Sequence, residues 1–146
     1  MRTLGYPQTR LARPFMDLDA QRRGLDNLTS ARDMTAMLQA IYEGKIISPA
    51  ASAEMLRLLR LLGLQNDPGL DYIGRRLKPS IAHLNGSFTG IRNEAASIEA
   101  EGRRYILTVF LRGQPDESAA EDAIARASEQ VLFEDVLRQQ PGGGIA

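Results

Sequence analysis

Residues 103–112 read Arg-Arg-Tyr-Ile-Leu-Thr-Val-Phe-Leu-Arg, and this stretch decides the fold class. Tyr105, Leu107, Val109 and Leu111 fill one alternate row, while Ile106 and Phe110 fill the other. A β-rich run that is apolar on both rows predicts a strand covered on both faces. Its simplest partner is residues 91–99, joined through a turn at Ala100-Glu101-Gly102. A shorter strand over about 80–85 can extend the pair to three. Pro115 breaks the sheet, and residues 117–138 predict a last helix with Ala120, Ile124, Ala127 and Val131 on one face. Pro141-Gly142-Gly143-Gly144 reads as the start of a flexible tail over 141–146.

Upstream of the strands the period changes to that of helices. Ser30-Ala31-Arg32-Asp33 has the form of a capping box, in which the Ser30 hydroxyl and the Asp33 carboxylate serve the orphan amides of a first turn. Met34, Met37, Leu38 and Ile41 then recur at three and four, predicting a helix over about 30–43 that stops at Gly44. Ser48-Pro49 opens a second helix with Met55, Leu58, Leu59 and Leu62 as its stripe and Gly63 as its end. Residues 64–79, with Asp67-Pro68-Gly69 and Pro79, read as a loop with a short turn near Tyr72. Residues 1–28, punctuated by Pro7, Pro14 and Gly24, read as irregular. The expectation is therefore α+β: a helical hairpin, a three-stranded antiparallel sheet and a C-terminal helix, with 1–140 as one domain.

Composition excludes several classes of function. A chain of 146 residues is the size of one domain, whose core buries about 70% of the unfolded surface. Eighteen basic residues balance eighteen acidic ones, so the excess positive charge of a nucleic-acid or membrane-surface binder is missing. The absence of Cys removes disulfides, thiolate nucleophiles and Cys-ligated zinc. A lone His83 gives no His-pair metal site and leaves little for a triad. No metal or cofactor is expected. The apolar runs are too short to span a bilayer, and Met1-Arg2-Thr3-Leu4-Gly5-Tyr6 lacks the apolar core of a secretory signal, so the expectation is that the chain stays in the cytosol unless something else exports it.

Serine chemistry also finds no footing in the spacing. The chain has eight serines and two lysines, and the residues three before Lys45 and Lys78 are Tyr42 and Arg75. No Ser-x-x-Lys pair exists, and no Gly-x-Ser-x-Gly elbow. Ser80 lies three positions from His83, on the opposite face of a strand. The carboxylate pairs Asp17/Asp19 and Glu134/Asp135 read as solvated charges. What remains is the stretch from Ile81 to Glu94, in which strand residues are followed by Gly86-Ser87 and Gly90, a strand edge that a ligand or another chain can approach closely.

That stretch is also part of a resemblance. The segments LGYPQTRL (4–11), PFMDLDAQRRGLDNLTSARDM (14–34), IYEGKIISPAASAEML (41–56), IAHLNGSFTGIRNEAASI (81–98) and YILTVFLRG (105–113) resemble, in this order, the C-terminal part of class A β-lactamases and related serine hydrolases. The resemblance implies a helical region leading into the last three strands of an antiparallel sheet with a helix packed on it. It implies acylation of a serine by a β-lactam, using a Ser-x-x-Lys pair, a Ser-Asp-Asn loop and a water-activating Glu on an Ω-loop, all expected ahead of residue 4, and a Lys-Thr-Gly on the strand. The last should fall at Leu84-Asn85-Gly86, where only the glycine is kept.

By the same resemblance, Asn85 can offer an amide to a substrate carboxylate, Ser87 stands where a backbone N–H forms half of an oxyanion hole, and Arg92 stands near a carboxylate-binding arginine. Leu84 cannot supply the lysine's charge. A cooperating set without nucleophile and lysine loses on the order of 10⁶ in rate, so the expectation is a β-lactamase-like chain, inactive alone, with degenerate binding residues Leu84, Asn85, Gly86, Ser87 and Arg92 and no catalytic residue. The alternative is a binding or assembly module, working as a homodimer or with a complementary N-terminal half; an unrelated carboxylate binder using Asn85, Ser87 and Arg92 is a third. Family members are usually secreted or periplasmic, and the location of this chain stays open.

Overall fold

The computed structural model describes residues 1–63, 80–100, 102–114, 116–131 and 134. The predicted loop at 64–79 and the tail at 141–146 lie outside the described residues. In order come a 3-10 turn (Arg2–Leu4), helices α1 (Leu18–Arg22), α2 (Ala31–Tyr42) and α3 (Pro49–Gly63), strands β1 (Ser80–Phe88), β2 (Ile91–Ala100) and β3 (Arg103–Arg112), and helix α4 (Glu117–Val131). The α+β class and the β1-β2-β3 antiparallel order agree with the sequence reading.

β1 runs three residues further than predicted, because the hairpin is tighter. Phe88 faces Ile91 across Thr89-Gly90, and Gly90 takes φ +71°, a left-handed conformation that glycine adopts without steric cost. The Gly113 N–H donates to the Gly90 carbonyl at 2.7 Å, tying this turn to the end of β3. The described part of the last helix ends at Val131; of the predicted extension to 138, only Glu134 is described.

The register gives each face of the sheet its cover. His83, Ala96 and Leu107 are directly opposite one another and share a face. Ala96, Ile98 and Leu107 form the core there, with Ile81, Tyr105, Val109 and Val131 of α4 packed against them. The other face carries Leu84, Ala95 and Thr108, and the Thr35 hydroxyl of α2 donates to Thr108 Oγ1 at 2.9 Å. Residues of β3 are mostly half-buried, with Leu107 buried. Across the helical side, the Tyr42 hydroxyl donates to Glu99 at 2.9 Å while the Arg104 guanidinium lies 3.6 Å from the Tyr42 ring centre. The bond to Glu99 raises the Tyr42 pKa above its ordinary value.

The helix starts match expectation in part. Ser30 accepts from the Asp33 N–H and Ser48 from the Ala51 N–H, so both act as N-caps. The Asp33 carboxylate, expected to serve the first turn, accepts from the Gln8 N–H and the Thr9 hydroxyl, both at 2.8 Å. It is buried because it anchors the N-terminal segment to α2. On α3, Leu58 is exposed rather than part of the stripe, and Leu56 is half-buried with Met55 and Leu59 behind buried Ser52.

Residues 1–28 are more ordered than their composition suggested. Arg10 and Leu28 form an isolated antiparallel bridge, Asn27 Oδ1 accepts from the Ala12 and Arg13 N–H groups, and Arg13 grips Asp26 through Nε and Nη2 at 3.1 and 2.8 Å. The ends of 10–28 are thus closed into an Ω-shaped loop. Inside it, Asp17 caps α1 by accepting from the Ala20 N–H, and Phe15 and Met16 stand more than four-fifths exposed. Periodicity misses such a segment because its order comes from side chain–backbone bonds.

Candidate functional site

Strand alternation divides the five residues singled out from the sequence. Leu84 and Gly86 belong to the face turned toward α2 and α3. Asn85, Ser87 and Arg92 belong to the α4 face, Asn85 opposite Glu94 and Ser87 opposite Arg92. The structure therefore brings three of the five together. Arg92 is buried, and its Nη1 donates to Ser87 Oγ at 2.9 Å. Its Nη2 lies 3.9 Å from Glu121 Oε1 on α4. Leu84, Asn85, Gly86 and Ser87 are all exposed.

Arg92 and Ser87 line a cavity of about 390 Å³ between the β1–β2 turn and the start of α4. Phe88, Ile91 and Ala120 give it apolar wall; Gln114, Asp116 and Glu117 add polar groups at its α4 side. Asp116 caps α4 by accepting from the Ala119 N–H at 2.7 Å. The volume is at the lower end of the roughly 300–1,000 Å³ usual for small-molecule sites.

One strand position inward, His83 Nδ1 and Glu94 Oε1 lie 2.8 Å apart, both groups buried. His83 is a strand residue beside Leu84, as expected, and Glu94 is its partner. Glu94 and Glu121 were missed by sequence reasoning. Glu94 shares the alternate row of Arg92 two residues on, a spacing that could have flagged it; Glu121 comes from a different element, and only packing brings it to Arg92. Among the described residues, no group of three or more His, Asp or Glu side chains could hold a metal ion, and no helix is long and apolar enough to cross a membrane.

A model of the beta-lactamase enzyme family matches residues 1–134. The chain belongs to the beta-lactamase enzyme family. Among solved structures, a beta-lactamase from Sphaerobacter thermophilus DSM 20745 is similar over 90% of this chain and 49% of its own, with 25% identity and a TM-score of 0.71. A beta-lactamase from Chitinophaga pinensis DSM 2588 gives 22% identity and 0.70 over 90% and 51%. The TLA-1 extended-spectrum beta-lactamase gives 18% and 0.73 over the same shares. No curated protein sequence matches at a significant level. The chain spans about half the length of the solved beta-lactamases it resembles.

Leu84-Asn85-Gly86 lie in the exposed half of β1. The closed loop at 10–28 contains Asp17, Asp19 and Asp26 but no Glu. Asp17 is engaged as a cap and Asp26 by Arg13; the Arg13 guanidinium holds the Asp26 carboxyl below its ordinary pKa.

Proposed function

We propose that these 146 residues form a beta-lactamase-family half that holds a carboxylate-bearing ligand and does not by itself turn over β-lactams. The observation that carries the reading is Arg92: a buried guanidinium, fixed by Ser87 and facing Glu121, in the wall of a cavity open to ligand. A planar fork held in one orientation suits a carboxylate, since both N–H···O bonds form without first ordering the side chain. Asn85 lies on the same face and adds an amide. Acylation has no support in these residues, because no Ser-x-x-Lys occurs among them and Leu84 replaces the family lysine. A single oxyanion donor at Ser87 without a nucleophile stabilises no transition state.

Titration calorimetry with benzylpenicillin tests this. Saturable heat is expected for the chain, and Arg92→Lys, which keeps the charge and loses the fork, should weaken binding by about tenfold, equivalent to ~1.4 kcal/mol. Equal affinity in both proteins would overturn the assignment.

A second reading, assembly with another copy or a complementary N-terminal half, is favoured by one further observation. Phe15 and Met16, adjacent in the 10–28 loop, are each more than four-fifths exposed and offer a partner an apolar contact.

A further inference from the structure

Glu121 is not explained by the helix that carries it. Asp116 caps α4 and Glu117 stands in its first turn, where negative charge suits the N–H groups of a helix start. Glu121 lies a turn further on, beyond the reach of that effect. Four residues before it is Glu117, a like charge that is unfavourable at this spacing, and four after it is Ala125. What it faces is Arg92, whose Nη2 is 3.9 Å from Glu121 Oε1. We propose that Glu121 is the resting counterion of Arg92 and that a ligand carboxylate binds by taking its place, so that Glu121 sets how tightly the cavity holds an anion. This deepens the carboxylate reading and rests on it.

The geometry favours such an exchange. The Arg92 side chain is 7% exposed and its Nη1 donates to Ser87, so the guanidinium is held in place. The Glu121 side chain is 25% exposed and can turn to water. At 3.9 Å the two groups are beyond hydrogen-bond distance, and their attraction is that of charge alone. A carboxylate in the cavity can come to about 2.8 Å from a guanidinium nitrogen. It then stands close to Glu121, and the like charges repel until Glu121 swings away. The unliganded chain gains from the Arg92–Glu121 pair, because removing negative charge from beside a buried guanidinium is costly. The liganded chain loses by it. One residue therefore acts with opposite sign on stability and on affinity.

Glu121→Gln keeps the size of the side chain and removes its charge. Calorimetric titration with benzylpenicillin should show about tenfold tighter binding than by the parent chain. Without ligand the variant should unfold roughly 2–4 °C lower. A fixed excess of benzylpenicillin should then raise its midpoint further than the parent's. Damage to the fold would instead lower stability and affinity together. Glu121→Asp, whose carboxylate is drawn back by one methylene, should tighten binding by a smaller factor, and it covers the case in which the glutamine variant does not fold. Equal or weaker binding by the variants than by a parent that binds would overturn the counterion role and leave the carboxylate reading standing. No saturable heat from parent or variants would overturn both.

Discussion

Glu94 and Arg92 stand two residues apart on β2, point the same way, and are both buried, yet they are used differently. Arg92 lines a cavity; Glu94 is shut in against His83. Removing one member of a buried polar pair strands the other, so Glu94→Ala should cost about 3 kcal/mol, read from urea midpoints at neutral pH. A loss under about 1 kcal/mol would show that water already relieves the pair. Tyr105 gives a pH prediction. Burial pushes its pKa from 10.0 to about 12. A raised folded-state value means that the neutral phenol favours the fold: its contribution is whole below pH 10 and is lost as pH rises through 10 toward 12. Tyr105→Phe should therefore flatten the alkaline fall in stability over that window, followed by thermal unfolding; an unchanged fall would place its cause elsewhere. At this scale the sequence was legible where identity alone matters, as at Leu84, and opaque where partners come from afar, as for Glu121.

Among the elements, α2, α3 and the three strands were readable because each buries a face and so repeats its apolar residues at a fixed period. The loop at 10–28 was not, since its order depends on the Arg13–Asp26 pair, the Asn27 bonds and the Asp33 anchor rather than on burial. Arg13→Ala should let this loop open, speeding protease cleavage near exposed Phe15 and Met16 while the core stays intact. Cleavage at the wild-type rate would mean that the backbone bridge at Arg10 and Leu28 suffices. Acid should act in the same direction. Asp26 has a lowered pKa, so its contribution is present above the ordinary 3.8 and fades as pH falls through its folded value. The α2–α3 connection holds a separate strain: Ile47, β-branched and 87% exposed, sits at φ +57°. Left-handed backbone costs such a residue roughly 1–2 kcal/mol, and glycine removes that while gaining unfolded-state entropy. Ile47→Gly should raise stability by about 0.5–1 kcal/mol in chemical denaturation, and a net loss would show that the side chain has packing value.

For the whole molecule, family membership and architecture fix the scaffold, and the residues within it set what it can do. The three strands, the helical hairpin and the closing helix reproduce half of a beta-lactamase at TM-scores of 0.70–0.73, while identity of 18–25% leaves the site free to change. Leu84 and Asn85 stand exposed on β1, and neither carries a charge. Arg92 keeps a cation on the far side of the strand. Binding without acylation is the expected result. Incubating the purified chain with a chromogenic cephalosporin, then with excess penicillin followed by intact-mass measurement, tests this most directly. No colour change above background and no mass increase are predicted. Turnover, or a stable gain of one penicillin mass on any serine, would contradict the reading and identify a nucleophile among the eight serines that the spacing does not reveal.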